Sequence, residues 1–569
     1  MMVTPLVMHP ASLTAGWEGD NFYCMRLFWW AKHVVVDRAA SPFWDPSAFF
    51  PHGHEVASGE MSAANAYLMI PVTVLWGPLV AYNLTLVLSF VMTGFGTYLW
   101  VRRLTGSAAS GLVAGVIAAF LPTRFAHLVG HLTIVSTHWI PFALYFFERF
   151  LEQKKTRDAV ALGATTAMVA LCSWYLAYSI ALMLPIYALM RSRPWRVHWN
   201  REWWRGIAIA VGAAATLVLP FMIPYLIARS QNTLVRGFAE MEFWSLNVYD
   251  FWLPNSFNPL FNAFMLKWFP QEATQWVERG VTFGATAFGL ALVAVFARRR
   301  HPAIAALIVA WVASYLIALG PTLHSGDRPI LIPVPRPLVA VAAKSLSISP
   351  SLERVRADIL NHQVFAIPLP SLFLFLFVPM TNGMRVMARF GVWTGIVTAA
   401  LAGWGTMFSL QRLQRRFGER RWLSPAFVTI VCALVLFEFR SEVVTIPVAP
   451  RPVDQWLAGQ PKDAAVIELP LEQTLRYFQN YYKTVHEQPT VFGRIGDAFE
   501  PEISIQRRAA LADFPSTTSI AALKEWRVRY VLFTPSAIPD WPDYKVRIDS
   551  HPELTFDREL GGVLVFVVR

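Results

Sequence analysis

The sequence predicts a mainly α protein: a polytopic transmembrane helical bundle of about ten spans, followed by a C-terminal soluble α/β domain. Three observations predict it. Of 569 residues, 55% are hydrophobic and only 15% charged, with a mean hydropathy of +0.41. That is too little charge to coat a water-soluble surface. The apolar residues stand in blocks near the roughly 20 residues with which a helix crosses about 30 Å of hydrocarbon. From about Glu442 the blocks stop and strand and turn patterns begin.

The net charge of +12 invites a nucleic-acid reading, but its distribution excludes one. From Arg440 to the end there are 15 basic and 17 acidic residues, so the first 439 residues hold +14. Most of the excess sits between apolar blocks, at Arg102-Arg103, Arg149 to Asp158, Arg191 to Arg205, Arg298 to Arg300 and Arg412 to Arg421. Alternating spans put all five on one side, which is the positive-inside pattern of membrane insertion. Cys24, Cys172 and Cys432 form neither a disulfide framework nor a zinc spacing, and the start carries no cleavable signal peptide.

Residues 1–79 read as an exoplasmic or interfacial segment holding an amphipathic helix, Phe22 to Val36, that lies in the membrane surface. Residues 80–439 read as the membrane domain. Its crossings are expected near 81–101, 107–123, 133–151, 158–173, 174–190, 206–226, 281–297, 302–320, 388–409 and 423–439. Its outer loops are 227–280 and 321–387. The block Val364 to Met380 is apolar but holds Pro368, Pro370 and Pro379. A crossing there would put Arg412 to Arg421 outside, so it reads as re-entrant or interfacial. Residues 440–569 read as an exoplasmic α/β domain. Strands are expected at Ala464 to Leu469 and Arg529 to Phe533, a helix at Leu511 to Trp526, and a last hairpin around Gly561-Gly562.

Candidate chemistry lies at the outer boundary. Asp20, in Gly19-Asp20-Asn21, opens the first helix. A carboxylate there suits a general base or a metal ligand, and it is equally a preferred helix cap. Glu60 is the choice for a second catalytic carboxylate, with Asp37, Asp45 and Glu55 in the same segment. Arg124, His127 and His131 fall in TRFAHLVGH, and Arg385 and Arg389 in TNGMRVMARF. These five are the substrate-binding candidates, cations able to meet a lipid phosphate. His127 and His131 lack the third ligand that a zinc site needs. Lone His486 is at most an acceptor contact.

In order and spacing, these residues resemble predicted bacterial and archaeal membrane proteins of the GT-C glycosyltransferase superfamily. The resemblance rests on Gly19-Asp20-Asn21, HLVGHLTIVSTHWIPFALYFFERFL, ALGP at 318–321, MRVMARF at 384–390, and the strand into Leu469-Pro470. It implies a GT-C-like bundle, with Asp20 corresponding to the catalytic aspartate of the first loop. It implies inverting transfer of a sugar from a polyprenyl-phosphate carrier to an envelope glycan, lipid or protein acceptor on the outer face of the cell membrane. The partners expected are the lipid-linked donor, membrane lipids and that acceptor. The residues require no cofactor and leave room for a divalent metal, Mg or Mn, although Asn21 stands where some members pair a second acid. Only 19 residues precede Asp20, too few and too polar to cross, so the expectation is an N-terminus outside or a start cut short. The rival reading is a non-catalytic transporter, flippase or scaffold. It is disfavoured by the lack of internal repeats, and by Glu438 being the only acid well inside an apolar block.

Overall fold

The computed structural model describes residues 4–38, 41–231, 237–270, 276–326, 328–347, 352–493 and 501–569. Ten helices stand where the ten apolar blocks lie. They are Ile70–Thr105, Ala108–Ala119, Trp139–Gln153, Thr156–Cys172, Trp174–Arg191, Arg201–Gln231, Ala285–Arg298, Pro302–Ala318, Gly391–Phe417 and Leu423–Glu438. Close approach between them relies on missing side chains: a Cβ at Gly405 would lie 1.8 Å from the carbonyl oxygen of Leu290. Three of the five basic segments, at 102–103, 149–158 and 191–205, meet at one end. Arg103 meets Glu152, Arg191 meets Glu148, and the Lys154 ammonium lies over the Trp203 ring.

The first long helix starts about ten residues earlier than expected and is broken inside. Gly77 takes a positive φ of 83° directly before Pro78. Proline disfavours a helical residue before it, and glycine accepts the conformation that remains. The apolar block before the ninth long helix supplies a short strand, Val364–Ala366, and an eight-residue helix, Pro370–Phe377. At about 1.5 Å per residue such a helix spans about 12 Å, too little to cross.

The C-terminal domain is a four-stranded mixed sheet ordered Leu554–Leu560, Val563–Val568, Val528–Phe533, Ala465–Leu469. Its last pair is parallel and its other pairs antiparallel. The helix expected over 511–526 is shorter, Thr517–Glu525, and a separate helix, Glu502–Leu511, ends where the expected one begins. Pro515 lies between the two, and Ser516 caps Thr517–Glu525 by accepting from the Ser519 amide.

The amphipathic surface helix expected after Asp20 is instead a buried one, Asp20–Lys32, with every residue from Asn21 to Ala31 buried. It packs against Ile70–Thr105 on one side and Phe478–His486 on the other. The C-terminal domain therefore covers the face that the sequence assigns to the headgroups. Leu13–Ala15 pairs antiparallel with Thr445–Pro447 and fixes the loop before Asp20 to the far end of the chain. Arg26, buried on the helix, pairs with Asp45 at 3.2 Å and donates to the Gly493 carbonyl. His486 is buried too, its Nδ1 accepting from the Gln488 amide, so it belongs to this packed joint.

Burial works against the Asp45 carboxylate, but Arg26 and Lys483 outweigh it and hold its pKa at about 2. The stability it lends is present above its unfolded pKa of about 4 and is lost as pH falls toward 2. Asp45→Ala strands the Arg26 charge and is expected to cost about 3–5 kcal/mol. Thermal unfolding in detergent micelles should show a lower Tm for the variant, and the gap should close below about pH 3. An unchanged Tm at neutral pH contradicts this account.

Candidate active site

At the end of the bundle away from the basic loops lies a cavity of about 390 Å³. Asp20, His131, Glu278, Arg385, Arg389 and Tyr477 stand in its wall. They come from five separate stretches of chain, and local backbone features bring them there.

Gly16, with φ +91°, lies against the Val129 backbone, where any Cβ would sit 2.1 Å from the Val129 oxygen. Gly130 in turn lies beside the amides of Asp20 and Asn21. This contact sets His131 next to Asp20. Asn21 is fully buried, and its side chain holds the turn: Nδ2 donates to the carbonyls of Ala15 and Trp17, and Oδ1 accepts from the Gly19 and Phe22 amides. The residue after Asp20 thus builds the loop instead of supplying a second ligand. Asp20 makes no side-chain cap and enters the helix as its first residue, which leaves its carboxylate to the cavity. The Tyr477 phenol, from the C-terminal domain, faces that carboxylate.

The largest electrostatic feature is one that sequence reasoning missed. Glu278 is 6% exposed and takes a forked contact from Arg389, with Nη2 donating at 2.8 Å and Nε at 3.3 Å. Burial would raise its pKa, but Arg389 and then His127 hold it at about 2. His127 Nε2 lies 3.7 Å from the same carboxylate, and His127 Nδ1 lies 2.9 Å from His131 Nδ1. Burial lowers the pKa of His131, only partly offset by Glu278. One ligand atom from each of His127, His131 and Glu278 falls within 4.8 Å of the others. The third ligand that the spacing of the two histidines lacked comes from a loop about 150 residues away. Two imidazoles and a carboxylate are a donor set able to hold a metal ion.

Of the expected residues, Asp20, His131, Arg385 and Arg389 line the cavity, and His127 stands behind His131. Arg385 is 42% exposed at its side chain and pairs loosely with Glu240 at 3.6 Å. Arg124 does not reach the site. It is buried against the Phe90 ring and donates to Thr137 and Ser89, so it braces helices. Glu60 is also absent from the cavity wall. Its Oε1 accepts from the Ser173 hydroxyl at 3.1 Å and the Trp174 amide at 3.2 Å, capping Trp174–Arg191. Asp37 is tied to Lys32. Glu438 caps Ala285–Arg298 by accepting from the Thr286 amide and hydroxyl, so this carboxylate is engaged in holding two helices together.

Residues 67–345 match a family described as a domain of unknown function, DUF6311. No curated protein sequence matches the chain. Among solved structures, the mycobacterial arabinofuranosyltransferase AftD aligns at a TM-score of 0.53 and 15% identity, over 99% of this chain and 40% of that one. The Archaeoglobus fulgidus oligosaccharyltransferase tethered to an acceptor peptide with the NVT sequon aligns at 0.50 and 11%, over 91% of this chain. This chain covers 65% of that enzyme's length. ArnT from Cupriavidus metallidurans aligns at 0.43 and 12%, over 99% and 95% of the two chains. At such identities the likeness is one of fold. The chain is a polytopic GT-C-like helical bundle with a C-terminal α/β domain.

The Glu60 carboxyl yields a test of its structural place. Burial pushes its pKa up to about 7, against the Ser173 hydrogen bond and the Arg389 charge. The folded state then favours the protonated acid, so its contribution is full below the unfolded pKa near 4.5 and declines as pH rises through 7. Glu60→Gln should remove that decline. Its Tm relative to wild type is expected to climb from pH 5 to pH 8, and a flat difference would sink the assignment.

Proposed function

We propose that this chain is an inverting membrane glycosyltransferase that moves a sugar from a polyprenyl-phosphate-linked donor to an acceptor hydroxyl on the outer face of the cell membrane. The observation that carries the reading is the meeting of one carboxylate, Asp20, with Arg385, Arg389 and His131 in a single cavity at the bundle end away from the basic loops. By the positive-inside pattern that end faces outward, with residues 1–79 and 440–569 exoplasmic. The two structures of like fold are named as an arabinofuranosyltransferase and an oligosaccharyltransferase, which supports a sugar-transfer chemistry.

The roles follow from the geometry. Asp20 takes the proton of the acceptor hydroxyl as its oxygen attacks the anomeric carbon. The bond from that carbon to the phosphate oxygen breaks with inversion, and the phosphate leaves with the electron pair. Arg385 and Arg389 meet the charge that develops on it. Tyr477 orients the Asp20 carboxylate, and the Gly16–Val129 contact keeps both loops in register. His127, His131 and Glu278 would hold a divalent ion, whose chemistry is to polarise the phosphate oxygens when bound.

Transfer assayed in proteoliposomes from polyprenyl-phosphate sugar donors tests this. Asp20→Asn is expected to lower kcat by roughly 10²–10⁴-fold with little change in stability. Arg385→Ala, a half-exposed change, should lower kcat by roughly 10- to 100-fold. Full activity of the Asp20 variant removes the base and with it the reading. An inactive wild-type protein that moves lipid carriers between leaflets supports the flippase alternative instead.

A further inference from the structure

Beside the basic segments 149–158 and 191–205, away from Asp20, lies a second cavity of about 510 Å³. It opens between Trp174–Arg191 and Arg201–Gln231, and no charged side chain lines it. Phe147 and Leu162, both buried, stand at its back, while Leu189, Trp204 and Val211 are exposed at its mouth. The crevice exists because Arg201–Gln231 is held from one side. A Cβ at Gly163 would lie 2.2 Å from the Ala210 oxygen, and one at Gly206 would lie 2.1 Å from the Phe150 ring. These glycines bring the helix hard against two neighbours. Its other faces are bare, with only 11% of its most apolar stretch buried.

An apolar crevice that stays unfilled forfeits dispersion contacts along its lining. Its length suits a lipid tail. From Trp203 to Ala214 the helix rises about 16 Å at 1.5 Å per residue. That is about half of the roughly 30 Å hydrocarbon layer, the depth of one leaflet. Charge then selects among lipids. The segment 191–205 holds five arginines and His198 against one acid, Glu202. Trp199, Trp203 and Trp204 of the same segment line the cavity, so the charges stand at its end. Arg191 is held by Glu148, but Arg193, Arg196, Arg201 and Arg205 are exposed, and none has an ion-pair partner among the described residues. The Lys154 ammonium over the Trp203 ring adds another cation. Indoles at headgroup depth with arginines beyond them complement an anionic headgroup. A second copy of the chain in the same membrane would bring the same arginines to the same level, and like charges would meet. A polyprenyl carrier chain, far longer than an acyl chain, would overrun a crevice one leaflet deep.

We propose that this crevice binds an anionic phospholipid, with one acyl chain between the two helices and the headgroup phosphate on the arginines of 193–205. The bound lipid ties a helix that protein holds from one side only to the rest of the bundle. The site is separate from the Asp20 cavity, and it stands or falls independently of the sugar-transfer reading.

For the test, the full chain is reconstituted in nanodiscs of phosphatidylglycerol and phosphatidylcholine in equal parts, and native mass spectrometry reads the lipid that each released molecule retains. Wild type is expected to retain one phosphatidylglycerol, at least tenfold over phosphatidylcholine. Two variants remove different parts of the site. Arg196→Gln with Arg201→Gln takes charge from the exposed rim, and Ala214→Phe puts a ring into the open volume. Each is expected to lower retention tenfold or more. Arg412→Gln with Arg415→Gln makes the same charge change in another basic segment and should leave retention within twofold. If Ala214→Phe is not monodisperse, Val211→Trp at the exposed mouth replaces it. The inference is overturned by equal retention of the two lipids, by a smaller loss in either site variant, or by a parallel loss in the Arg412 and Arg415 control. Displacement of phosphatidylglycerol by equimolar undecaprenyl phosphate overturns it in favour of the carrier, and a dimer that retains no lipid overturns it in favour of a second copy.

Discussion

The forked pair between Glu278 and Arg389 is the contact on which the rest of the site depends. Both side chains are largely withdrawn from solvent, so each charge needs the other to stay in place. Arg389 stands just before a long helix, Glu278 in a long loop before another, and the two histidines between two more. One carboxylate thus ties three connections of the bundle together at one end. The Tyr175 ring, 4.3 Å from the Arg389 guanidinium, backs the same charge from a fifth helix. The arrangement is a compact knot of ionisable groups, and the Asp20 loop rests against it.

How much of this the sequence discloses depends on what kind of pattern each part makes. Long apolar blocks, basic connections and a terminal Gly-Gly hairpin are local and periodic, so the ten helices and the outline of the C-terminal sheet are legible. Pro515 is a local helix-breaking signal inside the expected 511–526 helix, and the chain breaks there. The Asp20–Lys32 helix misled for a different reason: Trp, Arg and Lys on one short helix read as an interface, and only tertiary packing shows that another domain covers it. Arg124 and Glu60 stand at the right boundary with the right chemistry, but their side chains turn toward helix partners. Glu278 sits in a loop without periodicity and pairs with a residue more than a hundred positions away, so no spacing could announce it. Its sole sequence signal is an acid beside an arginine in an otherwise aromatic, amide-rich loop.

Asn21 shows how near neighbours divide labour. An acid there would place two carboxylates side by side at the cavity. The amide instead spends all its hydrogen-bonding capacity on the loop that presents Asp20. Any metal ligands beyond the first loop must come from elsewhere, and the His127–His131–Glu278 group is where the fold gathers them.

The two-stranded pairing of Leu13–Ala15 with Thr445–Pro447 has a consequence in time. A ribosome adding about 5–20 residues per second needs about 20–90 s between making the first strand and making its partner. Throughout that interval the loop bearing Asp20 lacks the edge against which it finally lies, and the C-terminal helix that buries its neighbour does not yet exist. The helices of the bundle are therefore all synthesised before the loop bearing Asp20 is seated, so this corner of the molecule is the last to be completed.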